Sequence, residues 1–242
     1  MRTITFAKRN LKEIIRDPLS IIFSLILPLF LLYIFEQFKI PNEVYKIENF
    51  TPGIIIFSLS FITMFTASLV AKDRSTSLTT RLGVSPMKEI EYILGYALSV
   101  VPIVLLQNII FFVAAIILGL KPSINIIYTI LAVLPISILF ISLGILIGTI
   151  TTEKSSSGVS SIVVQLVAFT SGMYFSTDMV GKTFNTICKI LPFQSTLDIT
   201  KSILNRNCNN IIISILIVLL YTITTIGITI ILFKKNMISD NK

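Results

Sequence analysis

Six long uncharged stretches, rich in Ile, Leu, Val and Phe, divide the chain: Pro18 to Phe35, Asn49 to Ala71, Tyr92 to Leu120, Pro122 to Thr152, Ser155 to Thr177, and Asn207 to Phe233. The charged positions gather in the short segments between them. A helix rises about 1.5 Å per residue, and roughly 20 apolar residues cross a bilayer. Each stretch therefore predicts one transmembrane helix. The third and fourth exceed a single crossing and predict tilt or extension beyond the bilayer. Pro28, Pro102 and Pro135 lie inside these stretches, where proline is tolerated and predicts kinks.

The segment before the first stretch has a different period. On a helical wheel of Ile4 to Pro18, the residues Ile4, Ala7, Leu11, Ile14, Ile15 and Pro18 share one arc, and Arg9, Lys12, Glu13, Arg16 and Asp17 fall opposite. Phe6 alone falls off the apolar arc. This pattern predicts a basic amphipathic helix lying on the membrane surface and ending at Asp17-Pro18, since proline disfavours a helical residue before it. A charged start leading into a full-length span does not match a secretory signal peptide.

Two of the segments between spans carry structure of their own. Lys72 to Glu91 reads KDRSTSLTTRLGVSPMKEIE. Asp73 to Leu78 can continue the second span as a helix, with Gly83 as a stop, and Ser85-Pro86 forms a helix start with a cap and a first-turn proline. One or two short helices are expected here, suited to docking a soluble partner. Tyr174 to Asn210 is too apolar for a free loop. It predicts short helices dipping into the membrane before the last span, broken at Gly181 and Pro192.

Composition agrees with the pattern. Hydrophobic residues make up 54% of the 242 and charged ones only 13%, against about a quarter charged in an ordinary soluble domain. The net charge of +8 lies beside the apolar stretches, as at a membrane surface, and no nucleic-acid module is present. With both termini on one side, 13 of the 20 basic residues fall on that side, which the positive-inside rule makes cytoplasmic. Ile-, Asn- and Lys-rich usage points to an AT-rich genome.

Candidate chemistry is sparse. The six stretches hold no Asp, Glu, Lys, Arg or His, which weighs against proton coupling within the membrane. Gln107, Asn108 and Gln165 are their most polar side chains, suited to interhelical hydrogen bonds or to substrate contact. The sequence has no Walker A loop, no G-x-S-x-G elbow and no histidine, so catalytic and cofactor-binding residues are not expected. Two cysteines, Cys188 and Cys208, are too few for structural zinc; they are either an outer-side disulfide or two unrelated small residues.

Several of these features occur in one order. They are the amphipathic helix running into Arg16-Asp17-Pro18, Pro28 in the first span, Pro52-Gly53 opening the second, and Lys72-Asp73-Arg74-Ser75 at its end. Arg81-Leu82, Ser85-Pro86, Tyr92-Ile93-Leu94-Gly95-Tyr96, Ser171-Gly172, Phe175 and Leu191-Pro192-Phe193 follow. The whole resembles the ABC-2 type permeases, the membrane subunits of bacterial ATP-binding-cassette exporters. Many relatives have proline after the phenylalanine following the fifth span; here Ser176 follows Phe175.

The resemblance implies an all-α integral membrane protein: an amphipathic connecting helix (1–18), a six-helix transmembrane domain (19–233), short re-entrant helices at 174–210, and a cytoplasmic tail (234–242). It implies a partner P-loop ATPase carrying the ATP, and a second permease protomer. The coupling region at 72–91 would place Lys72, Asp73, Arg74, Ser75, Arg81, Ser85, Pro86 and Lys88 at the ATPase contact. Arg9, Glu13, Arg16 and Asp17 of the connecting helix would approach the same partner and membrane lipid. On this reading Arg74→Glu or Arg81→Glu weakens ATPase docking without unfolding the spans. The implied function is efflux of a drug, antibiotic peptide or lipid. A gradient-driven carrier or channel, and a membrane anchor that transports nothing, are the alternatives.

Overall fold

The computed structural model describes residues 2–18, 22–38, 43–76, 89–175, 180–207 and 211–239. Among these, every regular element is helical. We label α1 (Arg2–Ile15), α2 (Leu27–Phe38), α3 (Ile47–Ser75), α4 (Glu89–Ile117), α5 (Ile124–Ile150), α6 (Glu153–Thr170), α7 (Lys182–Ile190), α8 (Pro192–Leu204) and α9 (Ile211–Ser239). A π-helical turn, Ile22–Ile26, leads into α2. Among the described residues, four helices are long and apolar enough to cross a membrane: Ile47–Ser75, Ile90–Ile117, Ile124–Ile150 and Ile211–Phe233. The chain is thus a multi-pass membrane protein.

Helix boundaries extend the uncharged stretches. α3 begins before Asn49 and runs on through Lys72 and Arg74 to Ser75, so the second span continues as a helix, as expected for Asp73 onward. α9 continues as helix to Ser239, into the segment 234–242 expected as a cytoplasmic tail. Helix is assigned without interruption through Pro102 and Pro135. α7 and α8 stand where short pieces were expected, with Gly181 (φ 120°) at the N-cap of α7 and Pro192 in the first turn of α8.

α3 is the central helix, buried along most of its length and packed against α2, α4, α5, α6 and α8. α9 lies at the periphery on α5 and α8, with most of its apolar side chains facing outward, as lipid-facing positions do. Two glycines four residues apart, Gly144 and Gly148 on α5, bring α5 against α3. A Cβ on Gly144 would meet Thr63 O at 2.6 Å, and one on Gly148 would meet Ala67 O at 2.5 Å. The approach lets Thr63 Oγ1 donate to Phe140 O at 2.9 Å across the interface. This small-xxx-small spacing is a known way for membrane helices to gain packing where the apolar solvent supplies no hydrophobic drive.

Several interior polar groups are bonded locally or across helices. Proline at 28 cannot donate to the carbonyl four residues back, that of Ser24; Gln107 Nε2 donates to it at 3.2 Å. This meets the expectation of an interhelical bond for Gln107. Asn108 Nδ2 donates within its own helix to Val104 O at 2.8 Å, and Gln165 is exposed. Ser142 and Thr225 share a hydroxyl bond of 2.8 Å between α5 and α9. Because Thr225 Oγ1 also reaches Tyr221 O in its own helix, Thr225→Val should cost only about 0.6 kcal/mol, read as a small fall in thermal midpoint in detergent.

At the end of the bundle near Tyr174, Phe35, Tyr45 and Phe50 form an aromatic cluster, and the Tyr45 hydroxyl donates to Tyr174 O at 2.6 Å. Nearby, Arg206 closes α8 at φ 56°, a left-handed position usually taken by glycine. Its Nε donates to Asn125 Oδ1 at 2.9 Å, which fixes the turn against the start of α5. Cys188 is buried in α7; Cys208 lies outside the described residues.

Candidate coupling site

At the opposite end, α1 lies on α4. Its inward face is Phe6, Ala7, Asn10 and Ile14, all buried, whereas Ile4 and Ile15 remain exposed. Phe6, the one residue off the expected apolar arc, is the anchor. Its ring meets Tyr92 edge-on at 5.7 Å and Tyr96 at 5.0 Å. Gly95 between those tyrosines makes room, since a Cβ there would come within 2.5 Å of the Phe6 ring. The wheel described a helix meeting one flat membrane. The real helix meets protein on one side, which rotates its buried face.

An ion-pair chain runs from this helix into the bundle. Arg9 grips Asp73, at the end of α3, with both terminal nitrogens: Nη1 to Oδ2 at 2.8 Å and Nη2 to Oδ1 at 2.8 Å. The Tyr96 hydroxyl donates to Asp73 Oδ2 at 2.9 Å. Arg9 also pairs with Glu13 at 2.9 Å, and Glu13 receives Lys72 Nζ at 2.7 Å. Two cations and two anions thus alternate across α1 and α3, with α4 supplying the hydroxyl.

Burial is uneven along this chain. The Asp73 side chain is 1% exposed and that of Arg9 39%. The outer pairs are solvent-screened and worth little. The Asp73 end is desolvated, where loss of a partner is costly. The hydrogen bond to Asp73 holds the Arg9 guanidinium pKa above its ordinary value.

Arg74 turns the other way. Its Nη1 donates to Gly148 O at 3.2 Å, to Thr149 O, and to Thr151 O at 3.3 Å. These carbonyls end α5, where a helix has no intrahelical donors left and its dipole favours a cation. Ser75 Oγ bonds Glu153 Oε2 at 2.6 Å in the first turn of α6. α6 follows α5 after only two residues, with Thr152 and Ser155 forming a reciprocal cap. The four consecutive residues Lys72 to Ser75 therefore contact α1, α4, α5 and α6.

Of the residues expected at a partner contact, the structure brings together Arg9, Glu13, Lys72, Asp73, Arg74 and Ser75, and spends their polar groups on each other and on neighbouring helices. Arg16 and Asp17 are exposed, as are Lys8 and Lys12. Arg81, Ser85, Pro86 and Lys88 lie outside the described residues. Tyr96, Phe6 and Glu153 belong to the cluster and were missed as participants. Only the Tyr92-x-x-Gly95-Tyr96 spacing could have signalled the first two. Among the described residues, no group of three His, Cys, Asp or Glu side chains comes together for a metal.

No curated protein sequence matches the chain. A family model, ABC-2 type transporter, matches residues 1–205, which takes in α1, the helices it joins and the whole ion-pair cluster. With residues 1–205 of its 242 matched, the chain belongs to the ABC-2 type transporter family, as a membrane subunit.

Proposed function

We propose that this chain is the permease subunit of an ATP-binding-cassette exporter in a bacterial cytoplasmic membrane, paired with a second permease protomer and driven by a separate P-loop ATPase. The observation that carries this reading is the fastening of α1, α3, α4, α5 and α6 at Lys72 to Ser75, immediately before segment 77–88. A push on that segment is delivered to all five helices at once. Nucleotide that binds the ATPase differently in two states can then shift the membrane subunit between two arrangements.

In this reading the chain crosses the membrane six times. α3, α4, α5 and α9 are joined by Ile22–Phe38 and by α6, which at about 1.5 Å per residue reach roughly 25 and 27 Å. α6 is serine-rich, but three of its hydroxyls are satisfied inside the helix: Ser156 to Glu153 O, Ser160 to Ser156 O, and Ser161 to Gly158 O. That satisfaction lowers the cost of placing it in lipid. α7 and α8 form the re-entrant pair on the outer side. Both termini, α1 and the coupling segment face the cytoplasm. Lys8, Lys12 and Arg16 present exposed positive charge beside Lys72 at the end of α3, toward the ATPase or anionic headgroups. The cargo is a drug, antibiotic peptide or lipid, leaving the cell.

The test is affinity purification of the tagged chain, expressed with its neighbouring genes, in a mild detergent. A stoichiometric P-loop protein with ATPase activity is expected. Recovery of the chain alone, with transport in sealed vesicles that survives without ATP, would replace this reading with a gradient-driven carrier. The variants separate contact from scaffold. Arg81→Glu should reduce ATPase recovery while leaving the thermal midpoint unchanged. Arg74→Glu should reduce recovery and also lower stability by about 2 kcal/mol, because it turns a cation at the α5 terminus into an anion.

A further inference from the structure

A cavity of about 310 Å³ lies beneath α1, walled by Leu11 and Ile14 of α1, Phe65 and Thr66 of α3, and Ile103 and Gln107 of α4. The volume lies at the lower end of the range for small-molecule sites. Its walls are almost wholly apolar, with three polar residues, Ser24, Thr66 and Gln107, among them. Gln107 is 4% exposed and Thr66 fully buried. Gln107 Nε2 is committed to Ser24 O, but Gln107 Oε1 and Thr66 Oγ1 have no hydrogen-bond partner among the described residues. Buried polar atoms left this way cost free energy that a complementary ligand group recovers.

We propose that this cavity binds one small, uncharged, membrane-partitioned molecule: an apolar body carrying a hydroxyl. A hydroxyl can donate to Gln107 Oε1 or accept from Thr66 Oγ1. A phospholipid acyl chain offers neither group, and an ion would be desolvated among apolar walls without a counter-charge. The occupant is therefore an alcohol- or phenol-type amphiphile. α1 is both a wall of the cavity and an arm of the ion-pair cluster, so occupancy would fix α1 in its seat. The inference depends on the cavity and not on the exporter reading. Its failure would leave ATPase recovery untouched, and the reverse.

The test is photolabelling of the full chain in lipid nanodiscs with a diazirine-bearing octanol, with adducts mapped by mass spectrometry. Saturable labelling of α1, α3 and α4 around Leu11, Phe65 and Ile103 is expected, with competition by unlabelled octanol. The matching diazirine-bearing octane should label these sites less. Thr66→Val keeps the volume and removes the hydroxyl, and should weaken octanol competition about fivefold, the equivalent of one hydrogen bond. Ile103→Phe should fill the space and abolish the labelling. Equal labelling by octane and octanol would mean acyl-chain occupancy and overturn the proposal. So would unsaturable adducts spread over outward-facing α9. The wild-type comparison decides between these outcomes even where a variant fails to fold.

Discussion

Asp73→Ala should destabilise the protein by about 3 kcal/mol and release α1. The variant leaves Arg9 without its bidentate acceptor and the buried Tyr96 hydroxyl without its acceptor. Breaking a buried ion pair from one side costs about 3–5 kcal/mol, and an orphaned hydroxyl about 1–3 kcal/mol. The total stays near the lower figure because the Arg9 side chain is 39% exposed and can recover water. Asp73→Asn, which keeps an acceptor but loses the charge, should fall between wild type and alanine. The check is the thermal midpoint in detergent, together with the rate of trypsin cleavage at Lys8 and Lys12 on α1. A double-mutant cycle with Arg9→Ala should show strong coupling, the double variant losing less than the two single losses combined. An unchanged midpoint with α1 still protected would show that the apolar seat of Phe6 suffices and that the ion pairs do not hold the helix.

Gly144→Ala and Gly148→Ala should each cost about 2 kcal/mol, a large effect for one added methyl. Elsewhere a new Cβ is relieved by a side chain turning away. Here it meets backbone carbonyl oxygens of α3, Thr63 O at 2.6 Å and Ala67 O at 2.5 Å, so the two helices must separate. Overpacking of that kind costs about 1–3 kcal/mol. Separation also strains the Thr63–Phe140 bond and draws the α5 terminus away from Arg74. The protein contains its own controls. Gly158 on α6 and Gly227 on α9 have open space at the Cβ position, and alanine at either should be neutral or slightly stabilising. Equal midpoints for all four variants would mean that α3 and α5 are not in this close contact.

The two predictions bear on one structure. Asp73 and Arg74 are adjacent on α3, one gripping α1 and α4, the other capping α5. Disturbing the α3–α5 seam or the Arg9–Asp73 pair loosens the same junction from opposite sides. If that junction transmits force, as proposed, both sets of variants should uncouple ATP hydrolysis from transport at temperatures where the helices are still folded.

What the sequence determined by itself is what depends on local composition and period. Uncharged runs of bilayer length, the amphipathic period of residues 4–18, and breakers such as Gly181 and Pro192 act through backbone hydrogen bonding and solvent transfer, which a short window already contains. The ABC-2 family was legible in the same way, from the order of such features. The glycine pair at 144 and 148 entered only with the fold, which shows that α3 is what it meets. Tertiary structure alone decided which face of α1 is buried, because Phe6 answers to Tyr92 and Tyr96 on a helix more than 80 residues away. It decided likewise that Asp73 and Arg74, side by side in a run that reads as one charged surface, turn inward to different helices. A charge in a sequence has no direction. Its partner is fixed by where the other helices end, and that depends on how the whole bundle packs.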